Sequence, residues 1–102
     1  MKDDAVSIAP EVHTIISQHG DIRILEVKLK SGAKVPMHWH PENVSYVVGG
    51  GKMKVAKPDV EPAEVELKTS QVLEGVDGYH AIENIGKTGI HTIQIEILPA
   101  QT

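Results

Sequence analysis

Valine and isoleucine carry the apolar content of this chain, with 12 Val and 11 Ile against 5 Leu and no Phe. β-Branched side chains are stiff about χ1, sit well on a pleated surface and crowd a helix. The apolar residues also recur in short stretches about every 8 to 12 positions with Gly, Pro or Asp between them, the spacing of a sandwich or barrel. The chain therefore reads as all-β. Its 102 residues leave room for a single domain, 1–102, with one core.

Nine strands are expected, near Val12–Ser17, Ile22–Lys30, Val35–His40, Val44–Val48, Lys52–Ala56, Val65–Lys68, Gln71–Leu73, Tyr79–Asn84 and Thr92–Leu98. Two alternate cleanly. Leu25, Val27 and Leu29 share a face against Glu26, Lys28 and Lys30. Ile93, Ile95 and Ile97 share a face against Thr92, Gln94 and Glu96, which predicts that the isoleucines are buried. Gly49-Gly50-Gly51 reads as a tight hairpin using positive φ. Lys57 to Ala63 contains Pro58 and Pro62 and reads as a loop, because proline cannot donate to a ladder. Pro99 to Thr102 reads as a frayed tail.

Several classes of function drop out. Ten basic residues stand against 14 acidic ones, and the lysines are scattered, so no nucleic-acid stripe is visible. There is no Cys, which excludes disulfides, zinc knuckles and thiol nucleophiles. No stretch approaches the roughly 20 apolar residues of a spanning helix, so no membrane partner is expected. The first residues lack a secretory pattern, which gives a cytoplasmic expectation. The serines lack a G-x-S-x-G setting, and no glycine-rich loop leads into a helix.

Histidine is where chemistry can sit. His38-Trp39-His40 places two imidazoles at i and i+2, on one face of a strand and about 7 Å apart along it, so their rings can converge on one ion. Trp39 then points away and packs beneath a neighbouring strand or loop, or meets another subunit. Tyr79 precedes His80 and also points away. Met37 and Met53 read as core filler, and His13, His19 and His91 as surface or loop residues without a role.

Gly32, His38, His40 and Gly50, followed by Gly75-Val76-Asp77-Gly78-Tyr79-His80-Ala81-Ile82-Glu83-Asn84, resemble the two motifs of the cupin superfamily, G-x5-H-x-H-x(3,4)-E-x6-G and P-x-G-x2-H-x3-N. Motif 1 covers about 32–50 and motif 2 about 75–84. The resemblance implies an all-β jelly-roll barrel of cupin type holding a divalent metal near one mouth on His38, His40 and His80. The carboxylate of the first motif falls at Val44 or Ser45, and neither supplies one; Glu42 is the nearest carboxylate, and Asn43 is an equally placed occupant. Asn43, Tyr46 and Asn84 are the expected pocket residues.

Imidazole suits Zn, Cu, Fe or Ni, and a carboxylate widens the choice to Mn. A three-His site keeps a position open for water or substrate. The expected function is a metal-dependent oxygenase or isomerase of a small organic molecule. The alternatives are a non-catalytic binding or sensing module using the same pocket, or a structural oligomerisation unit. The resemblance also implies a homodimer, pairing through its sheets or through the apolar start around Val6 and Ile8.

Overall fold

The structure is a computed structural model and describes residues 3–99. Most of the expected tail beyond Pro99 lies outside the described residues. A short helix α1 (Ala5–Ile8) precedes nine strands, β1 (His13–His19), β2 (Ile22–Leu29), β3 (Lys34–His40), β4 (Glu42–Gly49), β5 (Gly51–Lys57), β6 (Val60–Leu67), β7 (Val72–Gly75), β8 (Gly78–Asn84) and β9 (Ile90–Ile97). They form a five-stranded sheet in the order β1-β2-β9-β4-β7 and a four-stranded sheet in the order β3-β8-β5-β6, with every pairing antiparallel. This is an all-β jelly roll, as the sequence predicts. Among the described residues no helix is long and apolar enough to cross a membrane.

The two sheets face one another across a core of Leu25, Val27, Leu29, Val35, Val47 and Ile90 with their neighbours. Leu25, Val27 and Leu29 are buried on β2, as their alternation predicts. Leu25 is fully buried, so Leu25→Ala is expected to cost roughly 2–5 kcal/mol in lost transfer energy and residual cavity. A fall in the urea midpoint at unchanged slope is the measurement.

On β9 the prediction is inverted. Thr92, Gln94 and Glu96 point inward and are buried, whereas Ile95 and Ile97 are exposed and Ile93 is half-buried. Strand alternation allows either face to turn in. What selects the polar face is that the barrel interior near one mouth is itself polar, and Glu96 finds Arg23 and His40 there.

Two turns also differ from expectation. None of Gly49, Gly50 and Gly51 has a positive φ, and the strands they join lie in different sheets. These glycines carry the chain round a barrel corner. At Gly50 a Cβ would stand 2.1 Å from the Leu67 carbonyl oxygen, so close backbone approach requires glycine here. The expected loop at Lys57–Ala63 is instead a tight turn, with Asp59 at φ 59, that opens directly into β6. Pro62 is tolerated because β6 is the edge of its sheet and no ladder partner needs the missing N–H.

The apolar start folds back on its own barrel. Asp4 caps α1 by accepting from the Val6 N–H, and Val6 and Ile8 pack against the core. The Trp39 N–H donates to the Asp3 carbonyl at 2.7 Å, and a parallel bridge joins Asp4 to Trp39. Trp39 is half-buried and lines a surface cleft with Pro41. Met37, by contrast, is exposed, while Met53 packs on the core.

Candidate metal centre

The register of β3 on β8 sets His38 directly opposite His80 and brings together two histidines 42 positions apart (80 − 38). Their ring centroids are 4.6 Å apart, and His40, on the same face as His38, lies 4.7 Å from His38 and 4.9 Å from His80. The three histidines of the two motifs therefore converge.

A fourth imidazole joins them from a strand that neither motif covers. His13, at the start of β1, is only 2% exposed, with its ring 5.5 Å from His38 and 5.7 Å from His40. One nitrogen from each of His13, His38 and His40 fits within a single 4.8 Å cluster. The sequence reading assigned His13 to the surface. The corrected placement follows from its position just before the β1 bulge between Ile15 and Ser17, where the chain still packs under α1.

Hydrogen bonds fix which nitrogen each ring presents. His13 Nδ1 donates to the Ala9 carbonyl at 3.1 Å, and His38 Nδ1 donates to the Pro36 carbonyl at 2.8 Å. His40 Nδ1 donates to Glu96 Oε2 at 2.8 Å. A carbonyl or carboxylate oxygen only accepts, so all three Nδ1 atoms carry the proton and the Nε2 atoms are left to face the cluster. Orientation of a ligand histidine through its other nitrogen is the usual support of a metal site. Glu96, fully buried, also accepts from Arg23 Nε at 2.7 Å, and Arg23 Nη2 donates to Asp4 Oδ1 at 2.7 Å. The carboxylate near His40 is thus a buried, charge-compensated anchor contributed by β9.

Burial disfavours protonation of His13, His38 and His80. It pushes His13 down to about 4 and His80 down to about 3, with the neighbouring histidines adding to the effect, and it lowers His38 as well. His38 Nε2 and His40 Nε2 face each other at 2.9 Å. Such a pair is held by a shared proton or by a common cation. One proton satisfies one pair, yet His80 Nε2 is also buried without a partner and His13 adds a further imidazole. Two nitrogens at the 2.0–2.1 Å imidazole–metal distance and at right angles stand about 2.9 Å apart. The donor set fits a divalent ion.

The remaining predicted residues divide. Asn43 lines the cavity beside the cluster, its Nδ2 donating to the Pro41 carbonyl. Glu42 is exposed and borders a separate surface cleft with Trp39 and Pro41, so it does not join the histidines. Its strand leaves β3 through Pro41 with the opposite face turned in. Tyr46 is exposed on the outer face with its hydroxyl donating to Ser70 Oγ, not in the pocket. Asn84 is buried but acts on backbone: its Nδ2 donates to the Leu29 and Thr88 carbonyls and its Oδ1 accepts from the Gly86 N–H, pinning the connection into β9. Tyr79 points outward, as alternation predicts, and donates to Asp3. His19 is exposed, and His91 bonds Glu26 outside the cluster.

The two-sheet fold with its histidines at one mouth is a small cupin-type jelly roll. Solved structures similar to it include a cupin domain from Bordetella pertussis Tohama I, with TM-score 0.79 and 18% identity over 86% of this chain and 93% of that one. A cupin superfamily protein from Desulfitobacterium hafniense DCB-2 has TM-score 0.64 and 17% identity, with 86% and 77% covered. A predicted oxalate decarboxylase from Thermotoga maritima has TM-score 0.59 and 25% identity, with 79% and 70% covered. No protein-family model and no curated protein matches the sequence.

Proposed function

We infer that the barrel holds a divalent metal ion, one of Fe, Mn, Ni, Zn or Cu, on His38, His40 and His80, with His13 as a further nitrogen donor from β1. The observation that carries this reading is the convergence of ring nitrogens, one of them buried without a partner. Metal-free, a shared proton satisfies the His38–His40 pair but leaves His80 Nε2 buried without a partner, which is costly. When bound, the ion supplies Lewis-acid or redox chemistry to a small molecule beside it. His13, His40 and His80 all border a cavity of about 160 Å³, so a ligand there reaches the centre. The favoured function is a metal-dependent oxygenase or isomerase of a small organic substrate.

Elemental analysis after purification without a histidine tag is expected to give close to one equivalent of metal. His38→Ala and His80→Ala are each expected to reduce that to a trace, while His91→Ala leaves it unchanged. Less than about a tenth of an equivalent under several metal supplements would sink the reading.

The second reading, a non-catalytic binding module, is supported by the cavity wall, whose polar side chains other than histidine are Asn, Ser, Thr and Gln with one exposed Glu. None of the buried ones is an obvious general base. Oxygen uptake or isomerisation with small enols separates the two.

A homodimer fits the outer face of the five-stranded sheet. Ile22 and Ile24 on β2, Ile95 and Ile97 on β9 and Val44 on β4 are cross-strand neighbours there. With no charge at the centre, a second copy meets this face without opposed like charges, as an isologous contact requires. Sedimentation at micromolar concentration is expected at twice the chain mass, and Ile95→Glu is expected to return it to one.

A further inference from the structure

Among the described residues two buried side-chain polar atoms lack a hydrogen-bond partner, His80 Nε2 and Gln94 Oε1, and both residues line the same cavity. The first is accounted for by the metal reading. The second is not, because Gln94 lies two residues from Glu96 along β9, about 7 Å further into the barrel. Gln94 is only 9% exposed. A buried amide oxygen without a partner is costly, and a ligand donor recovers that cost.

The walls describe that ligand. On the five-stranded sheet, Gln94 pairs across to Ser45, and Thr92 follows on the same face, forming a polar stripe. Met53 and Ile82 from the other sheet, with Leu67 and Leu73, make the rest largely apolar. No Lys or Arg lines the cavity among the described residues. Arg23 is committed to Asp4 and Glu96. A carboxylate or phosphate held at the Gln94 end would lose its hydration, oppose another acceptor oxygen and find no Lys or Arg beside it. The volume, about 160 Å³, is close to that of cavities of about 150 Å³ that take up benzene.

The geometry points to an uncharged molecule the size of one six-membered ring, apolar over most of its surface and carrying one hydroxyl or enol that donates to Gln94 Oε1. Gln94 is then the residue that sets ligand specificity. This rests on the reading of the cavity as the ligand site of the metal centre.

Phenol, toluene and benzoate share one ring and differ in the group that matters. Their affinities are measured by calorimetry on the protein as purified, with metal content determined on the same sample. Phenol is expected to bind about tenfold more tightly than toluene, the effect of one hydrogen bond, with benzoate not binding detectably. In Gln94→Leu the preference for phenol over toluene is expected to vanish while toluene binding is retained, an outcome that phenol binding through the metal alone cannot produce. Benzoate binding as tightly as phenol overturns the inference, as does a phenol preference that survives Gln94→Leu. Should that variant fail to fold, the three wild-type affinities decide the matter. A sample without metal that still discriminates the three rings sinks the metal reading and leaves this one standing.

Discussion

Taken from pH 7 to pH 4, the metal-free protein is expected to lose several kcal/mol of folding stability, starting near pH 6.5. Burial holds His13 at about 4 and His80 at about 3, against 6.5 for an ordinary histidine. Between those values the unfolded chain binds protons that the folded chain refuses. The stability is therefore fully present above 6.5 and drains away as pH falls toward the folded values. At 1.36 kcal/mol per pH unit, His13 alone accounts for about 3 kcal/mol and His80 for at least as much. The two do not simply add, because each raises the cost of charging the other. Urea midpoints at pH 7, 6, 5 and 4 measure the effect, and most of the window lies above the range where carboxylates titrate. His13→Gln is expected to flatten the curve. A wild-type curve already flat from pH 7 to 5 would mean that the imidazoles are not held neutral in the barrel.

Replacing Glu96 is expected to damage both stability and metal binding. The carboxylate accepts from His40 Nδ1 and from Arg23, with no solvent to stand in for it. Glu96→Leu leaves Arg23 with Asp4 as its one remaining carboxylate and removes the oxygen that orients the His40 ring. Breaking a buried ion pair from one side costs about 3–5 kcal/mol, and losing the support of a ligand histidine weakens metal binding 10- to 100-fold. Glu96→Gln keeps the shape and an acceptor, so it is expected to recover much of the stability while metal affinity stays reduced. Denaturation midpoints and a competitive chelator titration read the two effects separately. Full metal affinity in Glu96→Leu would remove the carboxylate from any part in the centre.

The strand inventory was legible because β-branched composition and turn residues act locally. Nine stretches were visible, and nine strands form among the described residues. His38, His40 and His80 were legible because their spacings match a known pattern, and β3–β8 pairing turns that pattern into contact. His13 was not, because a single histidine at the start of a strand has no sequence partner, and its burial comes from α1 folding over it and from β2 beside it. The reading of β9 failed for a related reason. Alternation defines two faces but not which one is inner, and apolarity is the wrong guide where the interior must hold a charged network. A polar stripe of Thr92, Gln94 and Glu96 in a strand otherwise of isoleucines was the available signal for the site. The Glu42 assignment failed because Pro41 separates two strands that lie in different sheets, so parity does not carry across it.

The pocket draws on both ends of this stretch of polypeptide: His13 arrives on the earliest strand, and Gln94 and Glu96 arrive on the latest. On the ribosome, all four imidazoles are therefore synthesised before Glu96, the carboxylate that orients His40. A nascent chain stalled before β9 presents these histidines without that anchor, so the full donor geometry forms only once β9 has joined the sheet.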